Sequence, residues 1–203
     1  MKNVAVFAIA LVVGCANPIN ERTAVNYYEA GEAALARGDL PHAREMFSRA
    51  LINARLGHMG ERAEVRVLSK LGRVNGNLCE YDAAEKLMLE ARDLDIKANV
   101  ANPVMTFPTR LELAQFSYDI GRYEKAVTFY DEALAVGGKR LKEIDSATYN
   151  AVMKDYADAL AKTGNSERSK MALAEAATTP PESAGTAKVG KGSDYVRYPK
   201  TCK

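Results

Sequence analysis

The sequence predicts an all-α solenoid of about four helix-turn-helix repeats. The first observation is a small residue that recurs at steps of 41, 42 and 43 residues, at Gly31, Gly72, Ala114 and Ala157. Two further series of small residues keep the same steps: Ala43, Ala84, Ala126 and Ser169, and Ala50, Ala91, Ala133 and Ala176. Self-similarity at such a period is typical of stacked units, in which each unit covers the apolar face of its neighbour.

Within each unit the spacing predicts a turn, the start of a second helix and a large apolar side chain. The turn is expected at Gly38, Cys79, Gly121 and Gly164. The second helix is expected to begin at Leu40, Tyr81, Tyr123 and Ser166. The large apolar side chain should fill the space beside the small residues, at Phe47, Met88, Tyr130 and Leu173. Small residues let two helices approach closely, so each unit is predicted to be a tight helical hairpin.

The first unit reads Tyr27-x-x-Ala30-Gly31, then Ala34, Gly38-Asp39-Leu40, Ala43, Phe47 and Ala50. This string resembles the tetratricopeptide repeat, whose common form has roughly 34 residues. Leu68-x-x-Leu71-Gly72 in the second unit, and Gly121 to Ala126 in the third, fit the same pattern. The period is about two helical turns longer than the common form and is similar to the long subclass seen in kinesin light chain. The resemblance covers residues 21–177, and the repeat domain is expected at 23–177.

Two local features interrupt the repeat pattern. Pro103 and Pro108 fall where the first helix of the third unit should begin, so one of them is expected to cap or kink that helix. Gly137-Gly138-Lys139 lacks the preceding strand and the Ser or Thr of a phosphate-binding loop. It is therefore predicted to be an inter-repeat turn.

The N-terminus predicts the compartment. Ten apolar residues, Val4 to Val13, follow Lys2, a run too short to span a bilayer but suited to a signal peptide. Leu11-Val12-Val13-Gly14-Cys15 resembles the bacterial lipobox, which implies a signal peptide at 1–14, acylation of Cys15 and a tether at 15–22. An uncleaved anchor or an ordinary secreted protein fits less well, because no small-x-small pair follows the apolar run. Ala16 after the cysteine implies, by the rules of Gram-negative lipoproteins, the periplasmic face of the outer membrane.

Two cysteines remain after lipidation, Cys79 and Cys202. A periplasmic compartment permits a disulfide between them, and the alternative is two thiols that never meet. Residues 178–203 are predicted to form a flexible basic tail after the Pro180-Pro181 helix stop. Within it, Tyr195 to Pro199 could lie extended in a groove or remain solvated.

The residues offer little for catalysis. The two histidines, His42 and His58, lack a second ligand at metal-binding spacing, and the carboxylates, such as Glu85 and the pair Asp155 and Asp158, are assigned to solvated helix surfaces. A net charge of +2 does not provide the basic stripe that a nucleic acid would require. We therefore expect no enzymatic activity, cofactor, metal or nucleic-acid partner.

Binding remains as the expected function. In tetratricopeptide arrays the first helix of each unit lines the concave face, and the ligand-facing offsets of the family fall here on Tyr28, Glu32, Arg66, Ser69, Arg73, Asn77, Gln115, Tyr118, Asp119, Lys154, Asp158 and Lys162. The resemblance implies a lipid-anchored scaffold or adaptor that binds a protein or peptide partner in an envelope or secretion assembly. The alternatives are a receptor for a small ligand or glycan, supported by ten tyrosines, and an accessory subunit of an enzyme.

Overall fold

The computed structural model of the chain describes residues 17–178 and 197–199. This part of the chain is built from helices and contains no strand. In chain order the α-helices are α1 (Pro18–Ala36), α2 (Leu40–Leu56), α3 (Glu61–Asn77), α4 (Tyr81–Ala98), α5 (Phe107–Asp119), α6 (Tyr123–Ala133), α7 (Lys139–Ile144), α8 (Ser146–Lys162) and α9 (Ser166–Thr178).

The helices pair in the order of the chain. Helix α1 packs against α2, α3 against α4, α5 against α6, and α8 against α9. Each pair also contacts the next one, through α2 and α3, α4 and α5, and α6 and α8. Because the contacts run from one pair to the next, the all-α solenoid of four repeats that the sequence predicts is confirmed.

The turn inside each helix pair has the geometry that the sequence pattern predicts. The four turn residues have positive φ angles: Gly38 at 75°, Cys79 at 64°, Gly121 at 81° and Gly164 at 80°. Cysteine at such a φ is unusual because its Cβ is crowded there, whereas glycine adopts it without cost. The second helices begin at Leu40, Tyr81, Tyr123 and Ser166, as expected.

The small residues lie where paired helices touch. A Cβ built on Gly31 would come within 2.7 Å of the Phe47 ring, and one on Gly72 within 2.9 Å of Met88. Ala84 and Ala126 have no exposed surface. The helices of a pair therefore approach too closely for larger side chains at these positions.

The large apolar side chains are buried in three of the four repeats. Phe47, Met88 and Tyr130 are at most 2% exposed, but Leu173 is 48% exposed. The expectation that Leu173 fills the core is wrong, since in the part of the chain that the structure describes no further repeat packs against α9. Ser169, Ala172 and Ala176 are the buried residues on that helix instead.

The first helix begins earlier than expected, and the two prolines mark the start of the third repeat, as the sequence predicts. Helix α1 begins at Pro18, where the side chain of Asn17 caps it by accepting a hydrogen bond from the backbone N–H of Ile19 at 3.1 Å. The helix therefore includes residues 18–22, which the sequence assigned to the lipidated tether. Pro103 opens a short 3₁₀ turn (Pro103–Thr106), and Pro108 lies in the first turn of α5.

The diglycine segment is helical rather than a turn. Residues Leu134–Gly138 form a π-helical turn that joins α6 to α7. A Cβ at Gly137 would overlap the Phe107 ring at the start of α5. The glycine thus permits close contact between the start of α5 and the π-helical turn. The chain reverses only after α7, where Asp145 caps α8 by accepting from the N–H of Thr148 at 2.9 Å.

Some carboxylates that the sequence assigned to solvent are enclosed. Glu85 on α4 is 8% exposed, and it pairs with Arg122 and Lys125 of the next repeat. The ion pairs cross between repeats, where the sequence pattern within one helix gives no sign of them. The expectation of an exposed Glu85 is therefore wrong.

Candidate peptide-binding groove

The first helices of the four repeats, α1, α3, α5 and α8, lie side by side and form one face, which we call the groove. All twelve residues predicted to line it are carried by these helices. Three side-chain bonds join neighbouring first helices: Glu32 with Lys70 at 3.1 Å, Arg73 with Glu112 at 2.9 Å, and Tyr118 with Asp158 at 2.8 Å. The groove is thus continuous along the described repeats.

Several predicted lining residues are occupied by these bonds. Arg73 is held by Glu112, and its side chain is 20% exposed. Asn77 donates to the backbone carbonyl of Arg73, and Lys162 pairs with Asp158. Gln115 is 4% exposed. Arg66 and Lys154 are exposed and Ser69 is half-buried. A role in partner binding for these residues stays a prediction.

Residues Arg197, Tyr198 and Pro199 of the chain itself lie in the groove. Tyr198 is 4% exposed, and its ring meets Phe116 edge-on with centroids 5.1 Å apart. Its backbone N–H donates to Oδ2 of Asp119 at 2.9 Å, and its hydroxyl donates to Oε1 of Glu112 at 3.3 Å. The sequence leaves two alternatives open for this segment, binding in a groove and exposure to solvent. At these three residues the segment binds in the groove.

A missing side chain on α3 makes room for the Tyr198 ring. Cβ built on Gly76 would lie 2.7 Å from Cδ1 of Tyr198 and 3.2 Å from Cε2 of Phe116. Glycine inside a helix costs roughly 0.5 to 1 kcal/mol relative to alanine. The close approach of the ring is the physical reason for a glycine at this position.

The flanking residues of Tyr198 are held as well. Arg197 pairs with Asp119 at 3.0 Å and with Asp155 at 2.7 Å, and its guanidinium lies 5.8 Å from the centroid of the Tyr118 ring. The carbonyl of Pro199 accepts a hydrogen bond from the Tyr81 hydroxyl. The segment therefore contacts α3, α4, α5 and α8, which belong to three successive repeats.

Burial sets the ionisation of the groups in this contact. The Asp119 side chain is 2% exposed, and desolvation raises the pKa of its carboxyl although Tyr198 and Arg197 donate hydrogen bonds to it. Burial also raises the pKa of the Tyr198 phenol well above its usual value, so the hydroxyl stays protonated and can donate to Glu112. The site is thus an anionic, partly apolar recess that favours a cation beside a neutral aromatic ring.

Sequence reasoning missed most of this recess. Asp155, which was assigned to a solvated surface, is 9% exposed and binds Arg197, so that assignment is wrong. Glu112, Phe116 and Gly76 were not singled out. The one available signal was the Asn75-Gly76-Asn77 run, because a glycine inside a helical pattern often marks a close approach.

Cys79 is disulfide-bonded. The other two cysteines, Cys15 and Cys202, lie outside the described residues, so the pairing of Cys79 with Cys202 stays a prediction. Two contacts of the Tyr81 hydroxyl bear on it. The Tyr81 hydroxyl lies 3.6 Å from Sγ of Cys79 and also contacts the Pro199 carbonyl, three residues before Cys202.

The opposite end of the groove holds no chain segment among the described residues. An apolar cleft lies beside α1 and α3, with Ala24, Ala54 and Val67 buried at its base. Arg62 and Arg66 stand exposed at its rim. Tyr28 borders the same cleft, and its ring meets Phe47 edge-on at 5.5 Å.

The described residues contain no group of three His, Cys, Asp or Glu side chains placed to hold a metal ion. His58 is exposed and His42 is partly buried. His42 lies 3.9 Å from Glu45 on its own helix, and His58 follows the end of α2 with a φ of 54°.

Comparison with known proteins supports the repeat assignment. Residues 108–136, which cover α5 and α6, match the family model of the tetratricopeptide repeat. The solved structure of BtubC (BKLC) from P. vanneervenii is similar over 83% of this chain and 71% of that chain, with 15% identity and a TM-score of 0.69. MamA of AMB-1 is similar over 80% of this chain and 99% of that chain, with 17% identity and a TM-score of 0.43. No curated protein matches the sequence.

The family match and the BtubC likeness support different parts of the assignment. The match identifies the third helix pair as a repeat of known type. The likeness to BtubC, at low identity, shows the fold alone. Together with the four helix pairs in sequence order, they support a single conclusion. Residues 108–136 match the tetratricopeptide repeat, and they lie within an all-α solenoid that has four helix pairs in the part of the chain that the structure describes.

Proposed function

We propose that the protein is a scaffold that binds an extended segment of a protein partner in its groove. One observation carries this proposal: residues 197–199 already lie there, with a side chain buried and a backbone N–H bonded to Asp119. A surface that accepts an extended piece of its own chain has the shape and the hydrogen-bonding groups to accept a peptide. Tetratricopeptide repeats generally bind protein partners, which agrees with a binding rather than a catalytic role.

The end of the groove near α1 is open to a partner, because no described segment of the chain occupies it. Its cleft combines a buried apolar base with the exposed guanidinium groups of Arg62 and Arg66. Tyr28 adds an amphipathic ring of the kind that often dominates binding energy at interfaces. These residues therefore make the strongest set of variants for a binding test.

The test is affinity capture from detergent-solubilised envelopes with the mature protein as bait. A Tyr28→Ala/Arg66→Glu double variant should lose the partner that the wild type captures. A Lys86→Glu variant is the matched control, because Lys86 is exposed on α4, a second helix, and undergoes the same change in charge. Undiminished capture by the double variant, with helical circular dichroism retained, would show that the partner does not bind at the open end of the groove and would contradict the role proposed for that end.

We propose further that Cys15 carries a lipid anchor and that the scaffold faces the periplasm from the outer membrane. The Leu11 to Cys15 string supports the anchor, and Ala16 supports the outer membrane. With α1 beginning at Pro18, two residues separate Cys15 from the first helix, so the groove would lie close to the bilayer. Several acyl chains provide stable attachment where one is marginal.

In the described part of the chain, no helix has the length and apolar character that crossing a membrane requires.

Labelled palmitate tests the anchor directly. The wild-type chain should incorporate the label in a bacterial host and sediment with membranes, whereas Cys15→Ser should be unlabelled and released or misprocessed. Cys79→Ser serves as the control, because it replaces a cysteine by serine without touching the lipobox. An unlabelled wild type would remove the lipoprotein assignment.

A further inference from the structure

Five residues from three helices contact Tyr198 or the Pro199 carbonyl beside it, and we call them the tyrosine socket: Gly76, Tyr81, Glu112, Phe116 and Asp119. Each supplies a different element of recognition. For the Tyr198 side chain, Gly76 provides the recess, Phe116 an edge-on ring and Glu112 an acceptor for the hydroxyl. For the backbone, Asp119 accepts from the N–H of Tyr198, and the Tyr81 hydroxyl donates to the carbonyl of Pro199. Beside the socket, Asp155 and Asp119 together hold the preceding arginine.

We propose that this socket is an exchangeable binding site for partner segments that present an arginine followed by a tyrosine in extended conformation, and that residues 197–199 are its resident competitor. The proposal rests on the proposed function and names the ligand of one part of the groove. The partner chemistry is thus a basic and aromatic peptide.

The carboxylates explain the preference for arginine. The Asp119 and Asp155 side chains are 2% and 12% exposed, and one guanidinium spans both of them. A planar fork with several donors can bond to two carboxylates at once, whereas an acidic residue at this point would be repelled. The neighbouring Tyr118 ring, 5.8 Å from the guanidinium carbon, adds a favourable face for the cation.

The hydroxyl and the recess explain the preference for tyrosine. The ring lies so close to Gly76 that no side chain fits between them. The phenol oxygen then reaches Glu112, whose Oε1 also accepts from Arg73 at 2.9 Å. A small aliphatic residue would leave the recess partly empty and lose the contact with Phe116.

The resident segment is joined to the repeats by a short connection, which makes it a strong competitor. Eighteen residues, 179–196, separate the end of α9 from Arg197. A segment tethered in this way acts at an effective concentration on the order of millimolar, so a free peptide binds only weakly until the segment is released. The disulfide at Cys79 lies beside the Pro199 contact, so binding is best measured with this disulfide reduced.

The experiment uses a fluorescent peptide with the sequence of residues 194–200 and the full mature chain in dithiothreitol. Tyr198→Ala empties the socket without removing any part of it. Fluorescence polarisation should show the peptide binding at least about tenfold more tightly to Tyr198→Ala than to the wild type. A control peptide with alanine in place of its second tyrosine should bind at least about tenfold more weakly to the same variant.

Equal binding of the two peptides to Tyr198→Ala, or no gain over the wild type, would overturn the proposal. If Tyr198→Ala loses its helical circular dichroism, Arg197→Ala decides instead. Arg197 is half exposed, so its removal weakens the resident segment while the ring stays packed. It should raise peptide affinity at least about threefold, and an affinity equal to that of the wild type would overturn the proposal.

This test is separate from the capture experiment, which changes Tyr28 and Arg66 at the other end of the groove. A peptide that fails to bind while capture still depends on Tyr28 and Arg66 overturns the socket proposal alone. Capture that is independent of Tyr28 and Arg66, together with selective peptide binding, contradicts the proposed role of the open end and leaves the socket supported.

Discussion

At the residue scale, the absence of a side chain at Gly76 on α3 decides where the described C-terminal segment can lie. Gly76 is buried in the last turn of α3, in a helix that would be more stable with alanine. The Tyr198 ring occupies the space that the alanine side chain would fill. The local cost of glycine is therefore offset by a long-range contact.

Gly76→Ala is expected to displace the segment while leaving the repeats folded. A Cβ 2.7 Å from the ring forces the ring to move, which costs roughly 1 to 3 kcal/mol. Trypsin should then cut after Arg197 about tenfold faster than in the wild type. A tenfold change corresponds to a loss of roughly 1.4 kcal/mol in the free energy that docks the segment. Gly138→Ala is the control, since its Cβ would meet only Leu134. Unchanged cleavage in Gly76→Ala would show that the recess does not hold Tyr198.

Tyr156 provides a test that depends on pH. Burial, and then the hydrogen bond to Asp131, raise the pKa of Tyr156 from 10.0 to about 12. Because the folded state disfavours the phenolate, the contribution of Tyr156 to stability is complete below pH 10 and is lost as the pH rises through about 12. Thermal melts should therefore show the difference between wild type and Tyr156→Phe shrinking across this interval. A constant difference would contradict the raised pKa.

At the element scale, the helix pairs differ in how tightly they are closed. Ala126 is fully buried between α5 and α6, whereas Leu173 on α9 is 48% exposed. The repeats inside the stack are covered on both sides, and the described part of the chain has no repeat beyond α9 to cover the last one. Positions of the repeat pattern therefore have unequal energetic weight in the inner repeats and in the last one.

Substitutions at these two positions should separate the inner repeats from the last one. Ala126→Leu overpacks a closed interface and should cost roughly 1 to 3 kcal/mol of unfolding free energy. Leu173→Ala removes a half-exposed side chain and should cost less than about 1 kcal/mol. Urea denaturation followed by circular dichroism measures both values. A larger loss for Leu173→Ala than for Ala126→Leu would mean that α9 is covered by something outside the described residues.

The elements were predictable because their signals are local. Turn residues that accept positive φ, helix starts after them and small residues at fixed steps all act within one helix pair. The repeat positions could therefore be read for all four pairs, from Gly38 to Ser166. The π-helical turn at Gly137 was not predictable in this way, since its cause is the Phe107 ring, 30 residues earlier.

The site was less predictable because its contacts join distant parts of the chain. Tyr198 meets Asp119 and Glu112, which lie 79 and 86 residues before it. No periodic pattern links a tail residue to a helix at that distance. The same holds for Asp155 and Glu85, whose cationic partners belong to other elements. The family offsets identified the helices of the groove but not its occupant.

At the scale of the whole molecule, the groove has two unlike ends. The described C-terminal segment fills the end near α5 and α8, where Tyr198 joins the larger apolar core. The end near α1 and α3 has a separate core and an open cleft. A partner that binds along the full groove would therefore meet an open end and an occupied one.

Comparing two buried tyrosines tests whether the segment is a ligand or part of the core. Tyr130 is fully buried within α6, so Tyr130→Ala should leave a cavity and cost roughly 3 to 5 kcal/mol. Tyr198→Ala can cost no more than the free energy of docking the segment, because the segment can leave the groove while the repeats stay folded. We expect a loss of roughly 1 to 2 kcal/mol in reducing buffer, measured by urea denaturation. Equal losses for the two variants would mean that the solenoid needs residues 197–199 to fold, and an exchangeable segment would then be excluded.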